Sequence, residues 1–194
     1  MLFRKHIFFI LFLLPFLGIG QTNFGWELAQ AASELTKNDV VYNGSYFSID
    51  YPNGDVPSGY GVCTDVIIRA YRAVGIDLQK EVHEDMKAHF KAYPQNWGLR
   101  GTDKNIDHRR VPNLRRFFER KNTSLTITKR DKNYVPGDVV SWTLSNGLTH
   151  IGIVSDKRIK GTDRYYIVHN IGAGQVHEDC LFQFKITGHY RYEP

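Results

Sequence analysis

The chain has 194 residues, 42% of them apolar, with 25 Lys and Arg against 20 Asp and Glu for a net charge of +5. That length and apolar share fit one domain with one sizeable core, and no repeat, low-complexity tract or long linker divides it. The cations are scattered apart from "HRR" at 108–110 and "RRFFERK" at 115–121, which argues against a nucleic-acid partner.

Residues 1–20 read as a signal peptide, with a basic start, "MLFRKH", and the apolar run "IFFILFLLPFLGIG". Fourteen residues are too few to span a bilayer, which takes roughly 20. The small-x-small ending Gly18-Ile19-Gly20 suits cleavage before Gln21; retention as an N-terminal anchor is the alternative. An exported protein, periplasmic or extracellular, is therefore expected, with no stable membrane span after cleavage and residues 21–194 as a single domain. Cleavage would remove Arg4 and Lys5 and no acid, leaving 23 cations against 20 acids and a charge of +3. That weak positive charge is compatible with an anionic polymer as partner.

"NFGWELAQAASELTKN" places Trp26, Leu28, Ala29, Ala32 and Leu35 on one side of a helix, with Asn23 available as its cap. The turn formers of "YNGSYFSIDYPNGDVPSGYG" predict an ordered but irregular run up to Cys63. Val66, Ile67, Ala70, Tyr71 and Val74 then recur at helical spacing and Gly75 ends the pattern. Val82, Met86 and Phe90 form the stripe of a further helix stopped by Pro94, and a short helix begins at Pro112. Five segments rich in β-branched and aromatic residues follow: "SLTITKR", "DVVSWTL", "HIGIVSDK", "YYIVHNI" and "FKITGHYRY". Helices first and strands after predict an α+β fold, N-terminal helices packed on one face of a small, mostly antiparallel sheet. In "VPGDVV", Pro136 and Gly137 set a turn that Asp138 caps.

Cys63 opens a helix, where free amides and the macrodipole favour a thiolate and can hold an oxyanion. His150 starts one predicted strand and His169 ends its antiparallel neighbour, so both rings should stand at one rim. Nucleophile, base and orienter follow in the order Cys63, His150, His169, with Asn170 an alternative orienter. Two rival readings use the same residues. One is a Cys63–Cys180 disulfide in a secreted, non-enzymatic binding domain; the other is a zinc site on Cys63, His150 and His169.

"YGVCTDV", "VPGDVVSW", "HIGIVSD", "VHNIG", "GHYRY" and "NIDHRRVPNL" together resemble the DUF1287 family within the papain-like NlpC/P60 cysteine peptidases. The resemblance runs over residues 42–192. It implies a papain-like fold, Cys63 as nucleophile, His150 as base, His169 as orienter, and a peptidoglycan or peptide amide as substrate, with no cofactor or metal. It also implies that Tyr60, three residues before the cysteine, supports an oxyanion. Val62 before the cysteine and Thr64-Asp65 after it depart from the Asp and Ser common in that superfamily, which bears on substrate preference.

"NIDHRR" crowds Asp107, His108 and Arg109 into a loop. That loop is either simply solvated or a binding loop in which Arg109 or Arg110 forks onto a substrate carboxylate with Asp107 holding the fork; on the second reading, loss of Arg109 raises the substrate requirement and leaves folding intact. Asp65 is either a further substrate contact or a simple helix-dipole partner. Trp142 either lines the cleft or packs in the core.

Overall fold

The computed structural model describes residues 24–194. The signal peptide expected at 1–20 and the cap expected at Asn23 lie outside those residues.

Among the described residues, four α-helices precede the main sheet. Helix α1 (Phe24–Leu35) buries Leu28, Ala29 and Ala32, and α2 (Cys63–Ala73) buries Val66, Ile67, Ala70 and Tyr71. Helix α2 follows the expected spacing, while in α1 Trp26, expected on the same side as Leu28 and Ala32, is 39% exposed; Gly75, at φ +88°, takes the left-handed turn that ends α2. Helix α3 (Leu78–Ala88) is capped by Asp77, whose carboxylate accepts from the Gln79 amide at 3.0 Å. It stops at Ala88, earlier than its stripe suggests, and Phe90 belongs to a short 3-10 turn, Phe90–Ala92. Helix α4 (Val111–Arg120) carries Pro112 in its first turn and buries Leu114, Phe117 and Phe118. No helix among the described residues is long and apolar enough to cross a membrane.

Two short strands, β1 (Val41–Tyr42) and β2 (Tyr60–Gly61), pair in parallel and close the irregular run before Cys63. The main sheet holds β3 (Val139–Thr143), β4 (Thr149–Arg158), β5 (Tyr165–His169), β6 (Val176–Glu178) and β7 (Lys185–Tyr190). Its order is β6-β5-β4-β3-β7, antiparallel throughout. The fold is α+β as expected, with one strand exchanged. "SLTITKR" makes only a bridge from Ser124 to Tyr190, because Ile127 is 48% exposed and the segment has no apolar face to bury. The fifth strand is β6, whose three half-buried residues are too few to show a period.

Alternation along the strands builds two cores. Val139, Ile151, Ile153 and Val168 face the helices, joining Val66, Ile67, Tyr71 and Phe117. Val140, Trp142, Val154 and Ile167 face the other way and are covered by Tyr134, Cys180 and Leu181. Each fully buried side chain of this size contributes about 1.5–3 kcal/mol. The Pro136–Gly137 turn is held as expected, with the Asp138 carboxylate accepting from the Val135 amide at 3.0 Å. Asp138 also takes His189 Nε2 at 2.8 Å and Arg191 Nε at 2.7 Å, which ties the turn to β7.

Candidate active site

Cys63 is the first residue of α2, and that helix start is held from two sides. Asp65, in the first turn, accepts from the Val62 amide at 2.7 Å, half of a capping box. Its carboxylate also receives Arg109 Nε at 2.9 Å and Nη2 at 3.0 Å, an almost fully buried bidentate pair. The Thr64 hydroxyl donates to the Arg109 carbonyl at 3.0 Å, and Arg109 Nη1 donates to the Ser45 carbonyl at 3.1 Å. Arg109 therefore fastens the start of α2, and with it Cys63, to the irregular run that precedes it.

This corrects several expectations. The Arg109 fork is spent on Asp65, which leaves neither residue free for a substrate carboxylate. Asp107 does not brace the fork; its carboxylate faces His83 Nδ1 at 3.1 Å and the Asp103 amide at 2.7 Å. His108 is buried, and burial together with the nearby Arg109 pushes its pKa down to about 3, so it stays neutral. Trp142 has no exposed surface and donates Nε1 to the Leu181 carbonyl at 2.9 Å, so it is core and not cleft.

The imidazoles meet as the strand register requires. His150, near the start of β4, lies opposite Trp142 of β3, and His169, at the end of β5, lies opposite Val176 of β6. His150 Nε2 and His169 Nδ1 are 2.8 Å apart, and His169 Nε2 is 2.8 Å from the Glu178 carboxylate. Gly152 permits this closeness, because a Cβ there would come within 2.6 Å of Ile167 Cγ2 and 3.1 Å of His169 Cβ. Burial, and secondarily His169, push His150 down to about 3. Burial lowers His169 too, opposed by Glu178.

Cys63 packs in the helix-side core, where the Ile151, Thr64 and Cys63 amides act on its sulfur. It thus abuts the residue next to His150, at a point where β4 is no longer registered with β5, whose ladder runs from Ile153. Those amides and the helix start favour the thiolate, but burial outweighs them and pushes the thiol up to about 12. The expectation of a lowered pKa at the helix start is thereby corrected: desolvation wins. Alkylation of Cys63 by iodoacetamide is expected to be slow at pH 7 and to rise about tenfold per pH unit up to pH 10, since only the thiolate reacts. Peptide mapping reads this directly, and a plateau below pH 8 would contradict it.

Both cysteines are free, and they lie in different cores on opposite faces of the sheet, so the disulfide reading fails. Asn170 is not the orienter: its amide donates to the Gly61 carbonyl at 3.3 Å and its oxygen accepts from the Gly172 amide at 3.0 Å. The imagined zinc set does not gather either. Among the described residues, the His, Cys and carboxylate group with ligand atoms within 4.8 Å of one another is His169, Glu178 and Cys180.

The family model for a domain of unknown function, DUF1287, matches residues 29–192. The chain belongs to the DUF1287 family. Among curated proteins, the uncharacterized protein YijF of Escherichia coli (strain K12) is 48% identical over 173 residues, 89% of this DUF1287 chain and 83% of that protein. Among solved structures, NlpC1 from Trichomonas vaginalis matches at TM-score 0.46 and 16% identity. That match covers 90% of the DUF1287 chain and 46% of the other, so the chain spans about half of that structure's length. A likeness of this size carries no argument about chemistry.

Beside His150 the DUF1287 chain has a pocket of about 400 Å³, walled by Tyr42, Leu148, Thr149, Ile171 and Phe184. Tyr42 is the tyrosine of this pocket and is electrostatically coupled to Cys63 and Asp65. Tyr60, singled out in the sequence, instead stacks on Phe47 with ring centroids 6.2 Å apart, and its carbonyl accepts from Arg69 Nη2. Tyr42 and Glu178 escape sequence reasoning because they sit on β1 and β6, strands of two and three residues. Chemically, the site offers a buried thiol, a neutral imidazole backed by a second one and a carboxylate, and an apolar pocket.

Proposed function

We propose that this chain is an exported cysteine hydrolase of the papain-like NlpC/P60 type that cleaves an amide bond, in bacterial cell-wall peptide, by acyl transfer. The observation that carries the reading is the run of hydrogen bonds from His150 through His169 to Glu178, with the amide of Ile151, the residue next to His150, acting on the Cys63 sulfur. The substrate class and the export rest on the sequence motifs and on residues 1–20.

The run assigns the tautomers. A carboxylate can only accept, so His169 carries its proton on Nε2 and its Nδ1 accepts from His150 Nε2–H. His150 Nδ1 is then left with a lone pair. In the proposed reaction the Cys63 thiol reaches that nitrogen at the open end of β4 and yields its proton as sulfur attacks the amide carbon. The C–N bond breaks as His150 returns the proton to the leaving amine, and water, deprotonated by His150, hydrolyses the thioester. Because thiol and imidazole are both neutral at rest, proton transfer accompanies attack and no thiolate is stored beforehand. The amides at the start of α2 face the developing oxyanion. Tyr42 and the apolar walls of the pocket flank the bond to be cut.

The test is to incubate purified sacculi with the wild type and with Cys63→Ala and to resolve the products by mass. New peptide fragments with the wild type only are expected; identical profiles would remove the hydrolase reading for that substrate.

A further inference from the structure

We infer that His169, Glu178 and Cys180 form a binding site for one zinc-class cation, on the side of His169 away from His150. The three side chains bring imidazole, carboxylate and thiol atoms within 4.8 Å of one another. Such a mixed soft and borderline set suits Zn²⁺ and not Mg²⁺ or Ca²⁺, which take oxygen.

The spacing fits. Zinc binds imidazole nitrogen at about 2.0–2.1 Å and thiolate sulfur at about 2.3 Å, which at a tetrahedral angle sets nitrogen and sulfur about 3.6 Å apart. His169 Nε2 and Cys180 Sγ are 3.8 Å apart. The carboxylate oxygen, at 2.8 Å from Nε2, stands closer than the roughly 3.3 Å that coordination needs. Glu178 can make that retreat, since its side chain is 44% exposed, and the same exposure gives an ion its way in and a water the fourth position. The outer partner that a zinc-bound histidine ordinarily has is already in place, because His169 Nδ1 faces His150.

Loading displaces three protons from their resting atoms. The Cys180 thiol proton goes to solvent, and the His169 proton leaves Nε2 for Nδ1, where it is donated to His150 Nε2. His150 must then carry its own proton on Nδ1 and has no lone pair for Cys63. This last consequence rests on the proposed hydrolase: metal occupancy and hydrolysis exclude each other. The site itself does not depend on that reading.

The experiment titrates the purified protein with Zn²⁺ against a chromophoric chelator, and with Co²⁺ while following sulfur-to-cobalt charge-transfer absorption. A single ion per chain with a charge-transfer band is expected. Cys180→Ser should abolish the band and weaken Zn²⁺ binding by about a hundredfold. Glu178→Gln, at a half-exposed position that leaves the core intact, should weaken it by about tenfold or more. Cys63→Ala should bind as the wild type does. Three results would each overturn the site: no stoichiometric ion at micromolar Zn²⁺, binding untouched by both ligand variants, or a band lost in Cys63→Ala. Binding that follows Cys180 and Glu178 in a protein inactive on sacculi with and without metal would keep the site and discard the hydrolase.

Discussion

Replacing His150 by alanine is expected to lower turnover on cell-wall peptide by about a thousand- to ten-thousandfold, the upper range for loss of a general base. The reason is specific to this site. With the Cys63 thiol pushed up to about 12 by burial, almost no thiolate exists near neutrality, so attack requires a base at the moment it happens. The effect should fall on kcat with KM little changed, because in the proposed reaction His150 acts on the reacting atoms. His150→Ala combined with Cys63→Ala should be no worse than either change alone, as expected for groups that act as one unit. Since His150 is buried, the melting temperature of the variant must be measured beside its kinetics. A folded variant with turnover within tenfold of the wild type would exclude His150 as the base.

Arg109→Ala is expected to destabilise the fold by about 3–5 kcal/mol, because it strands the buried Asp65 carboxylate without its guanidinium. That is a large part of the roughly 5–15 kcal/mol by which domains are stable. For a chain of this size it corresponds to a fall of roughly 10 °C or more in melting temperature. Urea or thermal unfolding followed by circular dichroism reads it. Arg109→Lys should recover only part of the loss, since an ammonium cannot fork onto both carboxylate oxygens. Arg109→Met combined with Asp65→Asn should be less damaging than Arg109→Ala alone, because no charge is left unpaired. Wild-type stability in Arg109→Ala would show that the pair does not hold the helix.

Elements with a sustained apolar period were legible in the sequence. Val66, Ile67, Ala70 and Tyr71 announce α2, and the alternation in "HIGIV" announces β4. The two histidines were legible because antiparallel pairing alone brings a strand start and a neighbouring strand end together. What stayed hidden depends on distant partners. "NIDHRR" shows that Arg109 wants an acid, but Asp65 lies 44 residues away and nothing local selects it over a substrate. Glu178 lies on a strand too short to be recognised, so the group behind His169 was missed. The helix start at Cys63 is a local property, whereas the burial that overrides it comes from the packing of the whole helix-side core.

With the central sheet standing between its two sulfurs, this chain closes no covalent loop of its own, so its folding asks nothing of the redox state around it. A reducing cytosol and an oxidising envelope should yield the same molecule. A resting sulfur that is both protonated and shielded is also a poor target for peroxide, since sulfenic acid formation needs an accessible thiolate.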